Sequence, residues 1–204
     1  CHQLGLEHAA RLEAQGHRCY DVPMGGASPV GSAAFIGGYL ELMQQCEAAG
    51  IAPTRVYAAT GTGGTLAGLV AGHQALEAGP EIVGVAVSRK DEGYEGRCAA
   101  LANASLAWLG SDVRVTADDF TVDRGYFEPG YEQPNEAANE AIRLLARTEG
   151  LLTDPVYTGK ALAGLLDHIR TGKIRSGETV VFWHTGGATA LFAEQAILGN
   201  LADK

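Results

Sequence analysis

Short apolar runs alternate along this chain with longer stretches of helical periodicity, and a glycine stands at most of the joints between them. No other feature constrains the fold as strongly. Residues 55–59, 82–87 and 179–183 are apolar with little polar alternation, as strands covered on both faces are. Residues 113–116 form a fourth, shorter candidate, and 19–23 read as a short strand or an extended link. Helical spacing of apolar residues marks 4–15, 32–49, 65–78, 95–109, 135–148, 160–170 and 188–196. Gly16, Gly50, Gly79, Gly150 and Gly172 stand just beyond five of these helices, where a terminating glycine belongs. The stretch 118–133 has no clear period and is rich in aromatic and acidic residues. A β-α-β-α order with short links predicts an α/β fold, a parallel sheet with helices on both faces.

The chain's 204 residues suit one large domain or parts of two, and 46% apolar residues suffice for a full core. Its 28 glycines follow no collagen period and cluster at Gly25-Gly26, Gly37-Gly38, Gly61 to Gly64 and Gly186-Gly187, as tight strand–helix loops would place them. A net charge of −9 argues against nucleic acid or an anionic membrane as partner, yet a local nest of backbone N–H groups can still hold a small anion. No apolar run approaches the roughly 20 residues that cross a bilayer, and nothing at the front reads as a signal peptide. Cys1, Cys19, Cys46 and Cys98 lack Cys-x-x-Cys spacing and read as reduced residues of a cytoplasmic protein. The chain opens at Cys1, straight into helix-like sequence and without an initiator Met, which suggests truncation.

Ligands of a parallel sheet gather at the carboxyl ends of its strands, and two glycine-rich loops are expected there. Thr60-Gly61-Thr62-Gly63-Gly64-Thr65 follows a strand and opens a helix. Its glycines let N–H groups converge, the helix N-terminus adds a positive end, and Thr62 and Thr65 add hydroxyl donors, which together suit a phosphate. It is no Walker loop, because Gly-Lys-Ser/Thr does not follow. It is a poor dinucleotide fingerprint too, since Leu66 takes the sixth position and the next strand ends at Ser88 rather than at an acid. A tight turn without ligand is the competing reading. His184-Thr185-Gly186-Gly187 reads by itself as another tight turn, and the six histidines show no metal-ligand spacing, so no metal is expected. In Thr153-Asp154-Pro155-Val156-Tyr157-Thr158-Gly159-Lys160, Pro155 stiffens the approach to a helix that Thr158 can cap. Tyr157 on that loop suits a proton donor and a packed structural tyrosine equally well.

Taken together, Arg147-Thr148-Glu149-Gly150, the run Asp154 to Lys160, His184 to Gly187, the loop Gly25-Gly26-Ala27-Ser28-Pro29-Val30-Gly31 and the phosphate-type loop resemble the D-cysteine desulfhydrase and 1-aminocyclopropane-1-carboxylate deaminase family. Order and spacing match over nearly the whole chain. The resemblance implies a tryptophan-synthase-β-like fold (fold type II), pyridoxal 5′-phosphate as cofactor, a small amino-acid substrate and a homodimer. It implies that residues 1–204 are mostly the large cofactor-binding domain of a C-terminal portion, with 1–24 a link from a smaller domain. By the same resemblance Thr60, Gly61, Thr62, Gly63, Gly64 and Thr65 hold the cofactor phosphate. Tyr131, in Gly130-Tyr131-Glu132-Gln133-Pro134, and Tyr157 are its active-site tyrosines, and Thr158, Thr185 and Gly186 stand around the pyridine ring. The deaminase has Glu and Leu at the two threonine positions. Threonines there favour β-elimination, D-cysteine to pyruvate, ammonia and sulfide, with 1-aminocyclopropane-1-carboxylate deaminase and L-cysteate sulfo-lyase as alternatives. Ala27 stands where the family often has Ser.

The resemblance places the family's cofactor-linking lysine, and the Ser-Asn stretch that grips the substrate carboxylate, upstream of Cys1. The lysines here are Lys90, Lys160, Lys173 and Lys204. Lys160 lies in a matching motif but reads as a surface or structural residue. A second reading is therefore a non-catalytic chain that folds and binds phosphate-bearing ligands without carrying the cofactor covalently.

Overall fold

The apolar runs at 55–59, 82–87 and 179–183 become strands of one sheet. The structure, a computed structural model, describes residues 2–133 and 135–193. Its elements run α1 (His2–Glu13), α2 (Pro29–Ala49), β1 (Pro53–Thr60), α3 (Gly64–Leu76), β2 (Glu81–Ala86), α4 (Tyr94–Trp108), β3 (Thr121–Asp123), α5 (Glu136–Glu149), α6 (Thr158–Arg170) and β4 (Thr179–Trp183). All four strands are parallel, in the order β3-β2-β1-β4.

Register decides which side chains face which helices. Val56 pairs with Ile82 and Ala58 with Gly84, and Val56, Ala58 and Ile82 pack against α2, α3 and α4. Their neighbours Tyr57, Ala59, Val83 and Val85 turn to the opposite face, where α5 and α6 cover them. The strands are apolar on both sides because both sides are core. Chain order then creates a crevice. From β1 the chain passes over α3 to β2, and over α4 to β3. It returns by α5 and α6, on the other face, to β4 beside β1. The carboxyl ends of β1 and β4 thus flank the point where strand order reverses, which is where such sheets bind ligands.

Three expectations need correction. Residues 113–116 form no strand. Asn103 takes the place of a neighbouring strand there, accepting from Val115 N at 2.9 Å and donating to Val115 O at 2.7 Å. The fourth strand is instead β3, inside the aperiodic stretch, and its three residues are too short to show a period. Thr158 does not cap α6. Asp154 does so, its carboxylate accepting from Val156 N, Tyr157 N and Thr158 N at 2.8–2.9 Å. Residues 19–23 are an extended link, and α1 before them carries exposed Leu4 and Leu6. After β4 comes a short 3-10 stretch, Ala188–Ala193, and the rest of the helix expected over 188–196 lies outside the described residues.

Candidate active site

A cleft of about 730 Å³ opens at the carboxyl ends of β1 and β4. Ala59, Thr60 and the loop through Thr65 line it, with Met24 and Gly25, Ser88, Tyr131, Asp154, Tyr157, and Thr185 to Gly187. Of the residues singled out in the sequence, Thr60, Gly61, Thr62, Gly63, Gly64, Thr65, Tyr131, Tyr157, Thr185 and Gly186 come together here. Thr158 stays behind the wall, fully buried. Its hydroxyl donates to Asp154 Oδ1 at 2.6 Å and accepts from Asp154 N at 2.9 Å.

The glycine loop has the chemistry of an anion cradle. No side chain caps α3, so its first N–H groups are left to a ligand or to water. Elsewhere Ser28 caps α2, Asn135 caps α5 and Asp154 serves α6. The hydroxyls of Thr62 and Thr65 bond to no other described residue. Gly63 takes φ +95°, which bends the chain into the helix. Asp154, the one carboxylate on the cleft wall among the described residues, is turned inward, its oxygens engaged by three N–H groups and a hydroxyl. A phosphate monoester fits these donors.

Behind the loop lies a second set of contacts. Thr60 Oγ1 and Tyr94 OH are 2.6 Å apart and buried, and burial raises the Tyr94 pKa above the ordinary tyrosine range. Cys98 sits beside them, its thiol pKa likewise raised by burial.

The two tyrosines arrive from different elements. Tyr157 precedes α6 directly, and its ring lies close enough to Gly61 for a Cβ there to be 3.5 Å from Cε1. Tyr131 comes from the loop between β3 and α5, which two side chains, one buried and one half-buried, pin in place. Lys160 is fully buried and donates to Gly130 O at 2.7 Å and Phe127 O at 3.3 Å. Asn135 donates to Glu128 O at 2.6 Å and Tyr126 O at 3.1 Å. Four successive or near-successive carbonyls are thus held by two side chains, and the lysine is structural rather than superficial. Burial lowers its pKa. So placed, Tyr131 and Tyr157 meet hydroxyl to hydroxyl with rings edge to face. The bond to Tyr131, and then burial, push the Tyr157 pKa up to about 12. Pro134 of the Tyr131 motif lies outside the described residues.

On the β4 side, His184 sets the loop. Its Nδ1 accepts from Gly186 N at 3.0 Å, so the proton sits on Nε2, which donates to Leu152 O at 2.8 Å. Gly187, at φ +86°, lies against Asp154, where a Cβ would be 2.8 Å from the carboxylate carbon. Sequence reasoning placed the loop of Gly187 at this end of the sheet but did not assign Met24, Gly25, Ala59, Ser88 or Asp154 to the wall. Asp154 had a legible signal, an acid four residues before Thr158 at the start of a helix. Ser88 had none beyond its place after a strand.

A helix N-terminus whose donors fit a phosphate, at the reversal of a parallel sheet, is the arrangement of α/β proteins that hold a ligand by its phosphate. The chain belongs to the family of pyridoxal-phosphate dependent enzymes, which it matches over residues 3–186, and the family's cofactor is pyridoxal 5′-phosphate. It is 44% identical over 185 residues to D-cysteine desulfhydrase of Salmonella typhi, covering 91% of this chain and 55% of that protein. The D-cysteine desulfhydrase of Klebsiella pneumoniae (strain 342) is 43% identical over 187 residues, with 92% and 56% covered. The chain therefore spans about half the length of the curated relatives it matches. The crystal structure of an ACC deaminase homologue superposes with a TM-score of 0.84 at 33% identity, over 96% of this chain and 58% of that one. The fold is the tryptophan-synthase-β-like, fold type II fold. Among the described residues no group of His, Cys, Asp and Glu could hold a metal, and no helix is long and apolar enough to cross a membrane.

Proposed function

We propose that this chain builds the cofactor-phosphate cradle and the tyrosine pair of a carbon–sulfur lyase acting on a small sulfur amino acid. D-Cysteine is the favoured substrate, with water converted to pyruvate, ammonia and sulfide. The meeting of the Tyr131 and Tyr157 hydroxyls on the wall of a cleft that also holds an uncapped helix N-terminus carries this reading. Bound pyridoxal phosphate supplies the electron sink that lets an amino acid lose its α-proton. Gly61 to Thr65 would bind the phosphate and so orient the ring. The two hydroxyls share one hydrogen bond, so one of their two protons stays free to turn to a departing sulfur. Thr185, on the wall with a hydroxyl that bonds to no other described residue, can hydrogen-bond a ring nitrogen without adding a full negative charge. Thr158, engaged by Asp154, would shape that wall from behind.

The full-length protein, supplied with pyridoxal phosphate, should release sulfide and pyruvate from D-cysteine. 2-Oxobutyrate from 1-aminocyclopropane-1-carboxylate, or sulfite from L-cysteate, in place of sulfide would overturn the substrate assignment in favour of the deaminase or the sulfo-lyase. A second reading has its own support: among the described residues no lysine lines the cleft. On that reading the chain alone holds the cofactor by its phosphate and turns nothing over. Cofactor binding without any product would favour it. A homodimer, which sedimentation would test, and cytoplasmic residence, which the unpaired Cys19, Cys46 and Cys98 support, complete the proposal.

A further inference from the structure

Gly61 and Thr62 form a wall one peptide thick. The cleft lies on one side, and on the other is a notch of about 290 Å³ lined by Arg89, Lys90, Asp91, Tyr94 and Arg97. Lys90, just past the end of β2, reaches into this wall from behind. Its ammonium donates to Gly61 O and to Ser88 Oγ, both at 2.8 Å, and lies 4.9 Å over the Tyr94 ring. The other two cations of the notch do not share this task. Arg97 is bound to Asp91 at 2.8 Å, and Arg89 is exposed, with Glu128 at 3.9 Å.

A trans peptide points its C=O and the following N–H in opposite directions. With Gly61 O drawn into the notch by Lys90, the N–H of Thr62 is turned toward the cleft. The same ammonium sits behind that N–H, half-buried, where solvent screens it less than at an open surface. Tyr94, under the ammonium, also bonds Thr60 through its hydroxyl, so Thr60 and Gly61 are both held from the notch side. Gly61 O needs a donor here, and a lysine supplies one with a positive charge attached.

We propose that Lys90 is a positioning residue for the phosphate cradle: it holds the Gly61–Thr62 peptide with its N–H facing the cleft, backs it with positive charge, and so makes the chain prefer phosphate-bearing ligands to their phosphate-free forms. The proposal rests on the phosphate reading of the loop. Pyridoxine 5′-phosphate and pyridoxine test it, because neither has the aldehyde that would react with a lysine. Calorimetric titration should show that the wild-type chain binds the phosphate ester the more tightly. Lys90→Met, similar in length but without donor or charge, should weaken the ester by about tenfold and leave pyridoxine unchanged. Lys90→Arg should restore most of the preference. If Lys90→Met keeps the wild-type ratio between the two ligands, or loses pyridoxine along with the ester, the role of Lys90 is overturned while the phosphate reading stands. If the wild-type chain itself shows no preference for the ester, the phosphate reading falls and the role of Lys90 with it.

Discussion

Tyr157 shows how one contact sets the chemistry of a residue. A free tyrosine gives up its proton near pH 10, whereas folded Tyr157 keeps it to about 12. Between those values the folded chain binds the proton more tightly than the unfolded chain. The stability this linkage contributes is complete below pH 10 and is lost as pH rises toward 12. Because the bond to Tyr131 is the largest cause, Tyr131→Phe should bring the Tyr157 titration down toward pH 10, as read from tyrosinate absorbance against a Tyr157→Phe control. An unchanged curve would mean that burial alone holds the proton. The glycines of the cradle divide in the same residue-by-residue way. A Cβ at Gly63 would point away from the cleft, 2.6 Å from Cys98 Sγ and 3.3 Å from Tyr94 OH, on a backbone at φ +95°. A side chain there deforms the loop from behind and does not enter the nest. Gly63→Ala should therefore cost more than about 1 kcal/mol and weaken phosphate binding in step. A Cβ at Gly61 meets only ordinary contacts, at 3.5 Å and 3.7 Å, so Gly61→Ala should stay within about 0.5 kcal/mol of wild type. Urea midpoints of the two variants would separate them.

At the scale of elements, the loop carrying Tyr131 depends on α6. Lys160 and Asn135 between them bind the carbonyls of Tyr126, Phe127, Glu128 and Gly130. Lys160→Met would strand two of these, at a cost of about 1–3 kcal/mol for buried groups left without partners. It should also loosen the Tyr131–Tyr157 bond. The expected signature is a lower melting temperature together with an earlier Tyr157 titration, and a titration that stays near 12 would show that Asn135 alone holds the loop. This dependence was not legible in the sequence, where Lys160 read as a surface or structural residue and nothing pointed to the carbonyls it binds. The long elements were legible. Strands β1, β2 and β4 and helices α2 to α6 follow apolar periods that tertiary packing respects, and Gly50 and Gly150 end α2 and α5 as their positions suggest. Where periodicity failed the segment was short or held by side chains: β3 with its three residues was missed, and 113–116, expected as a strand, is instead held at Val115 by Asn103. The glycine loop could be recognised because it needs only local backbone geometry. The Tyr131–Tyr157 pair is separated by 26 residues and joined only through the fold, so it entered through family resemblance rather than through local pattern.

Among the described residues the lysines are distributed so that none presents its amine to the cleft. Lys90 lies behind the glycine loop, with its ammonium on Gly61 O. Lys160 is buried under the Tyr131 loop. Lys173 is at the opposite end of the sheet, in a separate cavity with Arg55, Tyr57, Asp123 and His168, its Nζ 3.0 Å from His168 Nε2. An aldehyde docked by its phosphate at the end of β1 would therefore find no described amine within the cleft to attack it. Incubation with pyridoxal phosphate, borohydride reduction and peptide mapping should give no stoichiometric label at Lys160 and none at Lys90 that inorganic phosphate can protect. Lys173 should be labelled, if at all, in proportion to reagent and indifferently to phosphate, because it lies far from the cradle. The physical reason is access as much as distance: a lysine must be deprotonated and exposed to attack a carbonyl, and although burial lowers the Lys160 pKa, the same burial shuts the reagent out. Stoichiometric, phosphate-protected label at Lys160 would show that the Tyr131 loop opens to bring that amine into the cleft, and would replace the picture of a fixed structural lysine with that of a catalytic one.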